Sequence, residues 1–482
     1  MARLSIKAEL MTAIEITPFP YHPTPLKYFT QLRRRPNAVL LDSGRPEAPG
    51  GRYDILSSDP LAMLEVDTAG KVSGVNELEH LAPFAAQQAL LDRLNSDVPP
   101  SELPFLGGLI GYWAYDLGQP SGTEKHPPKA PQAPQPKLPA SRVGLYDWAL
   151  LQDHHKAQSW LVASAKRRQQ VETWLTEALA SDDESQSAYN ALSDSFQLTD
   201  NFTADMSKDA YLDRFNQVQR YIRAGDCYQI NLAQRFSAPY QGDPWQAYQL
   251  LRQATPTPYA GYLAWNKSAV LSLSPERFIR SSNGQVETRP IKGTRPRGTH
   301  RHDDQRLAES LVHSTKDRAE NVMIVDLLRN DLGQVCRTGS VQVPQLCGLE
   351  SYANVHHLVS VVTGQLAEGQ RPLDLLAAAF PGGSITGAPK VRAMQIINEL
   401  EPSTRSVYCG SLGYVDCRGN MDTSIAIRTA VLDRDLLHLW GGGGLVADSE
   451  GEDEYAETLD KIRHLMTALK RNNNQIGNSK KE

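Results

Sequence analysis

Val286-Glu287-Thr288-Arg289-Pro290-Ile291-Lys292-Gly293-Thr294-Arg295-Pro296-Arg297-Gly298 sets one lysine between an apolar residue and a glycine, with three arginines close by. A partly dehydrated lysine among cations has its ammonium form disfavoured and can offer a free amine as nucleophile. A solvated lysine at a strand end is the alternative reading of the same text. Just upstream, Asn283-Gly284 is a strong hairpin signal between strand-like text at Ala269 to Ile279 and at Gln285 to Ile291. A two-residue turn there sets Glu276 opposite Ile291 and points Lys292 to the other face. A one-residue bulge at Arg289-Pro290, or an equivalent distortion, brings Glu276 and Lys292 onto one face, and their cooperation requires it.

The chain has 482 residues, 40% hydrophobic and 22% charged, with a formal net charge of -5. That length accommodates one large core or several domains. No long basic block exists to neutralise phosphates, which argues against nucleic acid as the main partner. No apolar run is long enough for a membrane span, and Met1 to Glu9 lacks the apolar core of a signal peptide. Cys227, Cys336, Cys347, Cys409 and Cys417 form no Cys-x-x-Cys pair and fit reduced thiols in a cytoplasmic protein.

Ala38 to Gly44 reads as a buried strand ending in a turn, and Gly107 to Tyr115 as a glycine-rich strand pressed against another backbone. Gln119 to Pro139, crowded with proline, lysine, glutamine and alanine, reads as a surface loop. The polar, serine-rich segment Ser181 to Thr203 is the best internal boundary. It separates an N-terminal region, residues 1–200, from a C-terminal region, residues 205–470, and a frayed polar tail, 471–482, follows. Ser207 opens an amphipathic helix that Gly225 ends. Further helices are expected from about Asp303 to Leu328, and at Pro372 to Phe380, Pro389 to Leu400 and Glu452 to Lys470.

Asp317 and Glu320 share one helix face, and Glu454 and Glu457 repeat that spacing, with Lys461 one turn further on. Carboxylates from two helices, with few other donors, suit a magnesium ion whose octahedron the substrate completes; two solvated helix faces fit the spacing as well. Ser449 with Glu452 reads as a capping box, and Leu459, Ile462, Met466 and Leu469 as a buried stripe from which the acidic face points away. The loop Phe380 to Lys390 runs into Pro389 at the first helical position. It offers a seat for an anion but lacks the ending of a nucleotide-binding loop. Trp440 to Val446, with four glycines, reads as buried backbone approached by a ligand, or as a flexible joint. Arg428, inside an apolar strand, needs an anion, either a ligand carboxylate or a structural acid. The residues alone reach this far: a small dicarboxylate beside magnesium, with a lysine at hand.

The C-terminal two thirds resembles the chorismate-utilising enzymes. The matching text is Gly225 to Gln229, Ser274 to Phe278, Pro290 to Gly298, Asp317 to Asp331, His357 to Ser360, Phe380 to Met394, Ile427 to Thr429 and Gly441 to Glu457. The N-terminal part is similar to the variable first region of the anthranilate and aminodeoxychorismate synthases. Two positions select a branch. Water-adding relatives carry a base lysine where this chain has Gln229, and a glutamine there goes with ammonia as nucleophile. Anthranilate synthases carry alanine where this chain has Lys292, and a lysine typifies the aminodeoxychorismate synthases. The resemblance therefore implies the aminodeoxychorismate branch, which serves para-aminobenzoate and folate synthesis. Anthranilate synthase component I and a non-catalytic tryptophan- or chorismate-binding regulator are the alternatives.

For fold, the resemblance implies an α+β architecture, with mostly antiparallel sheets in a sandwich under flanking helices. For chemistry it implies chorismate as substrate and Mg2+ as cofactor, held by Glu320 and Glu457 with Glu454 acting through water. Arg428, Tyr408, Lys461 and the amides of Gly442, Gly443 and Gly444 would receive the carboxylates, while Thr294 and His357 line the pocket. Lys292 would attack C2 as the C4 hydroxyl, protonated by Glu276, leaves; ammonia then attacks C4 and expels the lysine. No glutaminase motif is visible, so ammonia is expected from solution or from a separate glutaminase subunit, and the resemblance favours the subunit. Relatives also hold tryptophan in the first region. Leu40 to Gly44 and Pro258-Tyr259 match the surroundings of that pocket, with Ser43 a candidate contact. Asp42 departs from the Leu-Leu-Glu-Ser pattern of feedback-regulated anthranilate synthases, so allosteric inhibition is not expected.

Overall fold

A computed structural model of the chain describes residues 13–48, 50–94, 98–118, 134–180, 195–351 and 355–478, with side chains described up to 470. Successive residues of a strand point to opposite faces, and in the first sheet both faces find a core. Val39, Ile55, Leu151, Val162 and Val270 pack in a cluster with Leu64, Leu109, Val143 and Leu412 of the second sheet. Their sequence neighbours Leu40, Leu56, Leu150, Leu161 and Leu271 pack on the opposite face, with Phe29, Leu175, Trp245 and Leu465 of the covering helices. Among the described residues the first sheet has 13 strands and the second 11, each held by antiparallel ladders. Between them Tyr112 stacks on Trp265 with ring centroids 5.8 Å apart. This is the α+β sandwich with flanking helices.

The two chain regions on either side of residue 200 share both sheets. Val39–Asp42 pairs with Tyr259–Trp265 in the first sheet, and Gly108–Trp113 pairs with Ser411–Asp416 in the second. Either region alone would leave apolar strand edges unpaired. Residues 181–194 of the expected boundary and 119–133 of the expected loop lie outside the described residues.

Three elements differ from expectation. The strand text from Ala269 to Ile279 is two strands, Ser268–Ser274 in the first sheet and Arg277–Ser282 in the second. Pro275-Glu276 carries the chain across, since proline has no N–H to extend a ladder. The helical region from Asp303 is also two elements, Arg301–Val312 and Thr315–Gly333. Ser314 breaks it by capping the second, its hydroxyl accepting from Asp317 N at 3.2 Å. The last helix, Gly451–Asn478, continues past Lys470 into the stretch expected to fray. The helix Lys208–Ala224 is capped by Ser207 and ended by Gly225, as expected. Among the described residues no helix is long and apolar enough to cross a membrane.

Candidate active site

The Asn283-Gly284 turn has two residues, with Ser282 opposite Gln285. Thr288 then pairs with Val362 and Ile291 with Val359, so the register runs through Arg289-Pro290 without the expected bulge. The distortions lie elsewhere. One falls just after Lys292, where Gly293 takes φ 72 and the pairing slips between Lys292 and Thr294. A side chain at Gly293 would suffer both from that backbone and from a Cβ contact of 2.7 Å to Leu311 Cδ1. The other slip lies between Arg277 and Ile279, next to Glu276 at the seam between the sheets. Glu276 and Lys292 thereby line the same cavity, of about 780 Å³.

The four-glycine text is no joint but part of the buried strand Leu436–Leu445. A Cβ on Gly441 would lie 2.0 Å from Thr458 O, so glycine lets the last helix rest on the strand backbone. That approach puts Glu454, Glu457 and Lys461 at the cavity wall beside Gly442 and Gly444. Gly443 lies under the Glu454 and Glu457 carboxylates. Glu454 does not point away from the buried stripe as expected: it is 4% exposed and shares the stripe of Thr458, Ile462 and Leu469. The capping box is absent too. Ser449 Oγ donates to Glu454 Oε1 at 2.6 Å, and Glu452 pairs with Lys208.

Glu320 reaches the cavity from the helix Thr315–Gly333, while Asp317 is taken by Arg295 at 3.0 Å. Burial pushes the pKa of Glu320 and of Glu454 up. On Glu457 burial acts in the same sense but is outweighed by the Lys461 ammonium at 2.7 Å, so its pKa is lowered. Glu454 Oε2 is buried with no hydrogen-bond partner, an expensive state that a cation relieves. Among the described residues, no group of three or more His, Cys, Asp or Glu is close enough to hold a metal by itself. The three carboxylates are hard oxygen donors of the kind magnesium takes, and an ion among them would need its remaining oxygens from substrate and water.

The cations line the same cavity as the acids. Burial lowers the Lys292 pKa, against the pull of Glu320 and Glu276, and Nζ donates to Ser384 O at 3.3 Å. Burial raises Glu276 to about 7, although Lys292 and a hydrogen bond from Ser384 Oγ at 3.1 Å oppose it. An acid whose pKa burial raises thus shares the cavity, and the contact with Ser384, with an amine whose charged form burial disfavours. Arg428 lies not inside a strand, as expected, but in the break between Met421–Ile425 and Thr429–Asp433, where it has φ 50, sits half-buried at the wall, and has no carboxylate partner among the described residues. Burial alone lowers its pKa. Among the described residues no structural acid meets the guanidinium. Lys461 Nζ donates to Gly442 O at 2.8 Å, and Thr294 Oγ1 lies 2.9 Å from His357 Nδ1. Tyr408 stacks on Trp440 at 5.8 Å, with its hydroxyl close to Gly442.

Some residues fall outside this group. Gln229 is fully buried one layer behind the wall, its amide atoms unpartnered, next to Gly444. Of the loop expected to seat an anion, only Ser384 and Ile385 line the cavity. Its helix starts at Lys390, with Pro389 as the capping residue, and Lys390 pairs with Asp331 at 2.7 Å. Nothing in the sequence marks Ser384: a serine in a glycine loop carries no local sign of what its two oxygens will meet. A second cavity of about 220 Å³ is lined by Asp42, Pro258 and Tyr259. Ser43 does not line it, because its hydroxyl is donated to Asp54 at 2.7 Å.

A family profile described as chorismate binding enzyme matches residues 37–467. The chain belongs to the chorismate-binding enzymes. It is 45% identical over 456 residues to aminodeoxychorismate synthase component 1 of Escherichia coli (strain K12), covering 92% of this chain and 96% of that one. Anthranilate synthase component 1 of Thermus thermophilus is 40% identical over 394 residues, covering 79% and 82%. The crystal structure of anthranilate synthase component I from Streptococcus pneumoniae TIGR4 superposes with a TM-score of 0.73 at 30% identity, over 86% of this chain and 92% of that one. The menaquinone-specific isochorismate synthase of Escherichia coli shares the fold, with a TM-score of 0.69 at 18% identity over 96% and 97%.

Proposed function

We propose that this chorismate-binding enzyme is the synthase component of an aminodeoxychorismate synthase, converting chorismate and ammonia into 4-amino-4-deoxychorismate and water. The observation that carries the reading is the Lys292–Glu276 pair, which lines one cavity and shares Ser384, the lysine's pKa lowered and the acid's raised to about 7 by burial. The relative at 45% identity, an aminodeoxychorismate synthase component 1, supports the same reaction.

Arg428, Lys461 and the backbone of Gly442 to Gly444 hold the substrate carboxylates. The Lys292 amine attacks C2 of the ring. The C1–C2 double bond moves to C1–C6, the C5–C6 double bond moves to C4–C5, and the C4 oxygen leaves as water with the Glu276 proton. Ammonia then attacks C4, the electrons return along the same path, and Lys292 leaves C2 as an amine. Glu276, now a carboxylate, takes the surplus proton from the new amine. Mg2+ held by Glu320 and Glu457, with Glu454 through water, would orient the ring carboxylate and screen its charge. Gln229, neutral and unpartnered, provides no base to activate water, in keeping with ammonia as the incoming group.

A separate glutaminase subunit would deliver that ammonia, as the component 1 names of the relatives suggest. The five free cysteines, four of them buried, fit a cytoplasmic protein. The smaller cavity at Pro258 and Tyr259 is the place for a tryptophan, with Asp42 rather than Ser43 at its wall. The deciding experiment incubates the protein with chorismate, Mg2+ and ammonium and identifies the product by chromatography and mass spectrometry. Formation of 4-amino-4-deoxychorismate supports the proposal. Anthranilate, or no turnover even with a glutaminase partner, overturns it.

A further inference from the structure

Ser384 touches both members of the acid–amine pair. Its carbonyl accepts from Lys292 Nζ at 3.3 Å, and its hydroxyl donates to Glu276 Oε1 at 3.1 Å. The turn that carries it is pinned on both sides. Thr386 Oγ1 donates to Gly382 O at 2.9 Å, and Arg405 Nη1 donates to Ile385 O at 2.8 Å. The two oxygens of Ser384 are therefore fixed in place by neighbours that take no part in the chemistry.

We propose that Ser384 is a positioning residue, whose hydroxyl leaves the transferable proton of Glu276 on Oε2 while its carbonyl orients the Lys292 amine. An O–H donated to Oε1 requires that oxygen to be an acceptor, so a neutral Glu276 carries its proton on the other oxygen. The same donor favours the carboxylate form and partly offsets the burial that keeps Glu276 protonated. The carbonyl can accept one N–H of a neutral amine and leave the nitrogen lone pair free. One residue thus sets the spacing of acid and nucleophile and the oxygen from which the proton departs. This role rests on the assignment of Lys292 and Glu276 in the proposed function.

The charges that act on Glu276 are Lys292, from the strand Ile291–Pro296, and Lys461, from the last helix. Glu320, Glu457 and Arg428 line the same cavity. All of them remain in variants at position 384, so a change in pH dependence reports the hydroxyl. Ser384→Ala removes the hydroxyl and keeps the carbonyl. With free ammonia held constant, its kcat/KM for chorismate should keep the alkaline limb of wild type but displaced upward by about 0.5–1 pH unit. Its kcat should fall about tenfold, with KM within about twofold of wild type. Ser384→Thr, which keeps a hydroxyl, should restore both.

An alanine profile that superimposes on wild type, or a threonine variant as impaired as alanine, overturns the role. Should the alanine variant fail to fold, Ser384→Cys carries the test as a weaker donor: an upward shift supports the role and an unmoved limb overturns it. Wild-type protein that makes no 4-amino-4-deoxychorismate overturns the proposed function itself. An active wild type with an unmoved Ser384→Ala profile overturns this inference alone.

Discussion

Lys461 Nζ lies 2.7 Å from Glu457 Oε1, one turn away on the same helix. The proposed receiver of a substrate carboxylate and a proposed magnesium ligand are therefore held by each other in the ligand-free chain. On the proposed function, binding would open the pair, with Glu457 available to the ion and Lys461 to the substrate carboxylate. Lys461→Met should bind Mg2+ about two- to fivefold more tightly without substrate, since it removes a competing cation. Its KM for chorismate should rise about tenfold or more. Calorimetric titration with Mg2+ and steady-state kinetics would show the two constants moving in opposite directions. A parallel loss of both would mean that Lys461 only supports the local fold.

Lys292 leads to a prediction about mass. Mixed with chorismate and Mg2+ but no ammonia, the wild type should accumulate an adduct heavier than the free chain by chorismate less one water. Lys292→Ala should form none and should lose about 10³-fold or more in turnover. Intact-protein mass spectrometry reads the first result directly. Full turnover by the alanine variant would remove Lys292 from the chemistry.

Glu276 predicts a pH dependence of stability with a definite sign. Its carboxyl is raised from 4.5 to about 7 by burial, so the folded chain binds that proton more tightly than the unfolded one. The contribution is full below about pH 4.5 and is lost as pH rises through about 7, a change on the order of 3 kcal/mol. Glu276→Gln escapes the loss. Its melting temperature should exceed that of wild type by several degrees at about pH 8, with a much smaller gap at about pH 5.5. Scanning calorimetry at the two pH values would test this, and equal gaps would contradict it.

Arg428 carries a guanidinium with no carboxylate partner among the described residues. Arg428→Leu should stabilise the ligand-free fold by about 1–2 kcal/mol, because an uncompensated charge leaves a poorly solvated wall. The same change should raise KM for chorismate about tenfold or more. Denaturant unfolding together with kinetics distinguishes this from a structural role, in which stability and activity would fall together.

Much of the site was legible because its chemistry is local text. Lys292 beside Gly293, the acids three residues apart and the glycine run each mark themselves by residue type and spacing. Glu454 was misplaced because helical spacing assigns residues to a face without saying which surface that face meets. Here it meets the backbone of a glycine strand, which draws an acid into a stripe otherwise made of Thr458, Ile462 and Leu469. The bulge was expected at Pro290, the residue that most plainly cannot sustain a ladder. It formed instead at Gly293 and next to Glu276, where the chain changes sheets.

By itself the sequence determined which residues alternate as strands, where the Asn283-Gly284 hairpin turns, how Ser207 and Gly225 bound a helix, and which side chains are chemically able to act. Those properties depend on φ/ψ preference and on neighbours a few residues apart. Only the tertiary structure decided that Ser268–Ser274 and Arg277–Ser282 belong to different sheets, that residues on both sides of position 200 complete both of them, and that Ser384 stands between Lys292 and Glu276. Each of these is a pairing of groups about 90 or more residues apart, or a crossing between layers. Such contacts are chosen by burying two apolar faces together and closing strand edges, a balance summed over the whole chain that no short stretch records.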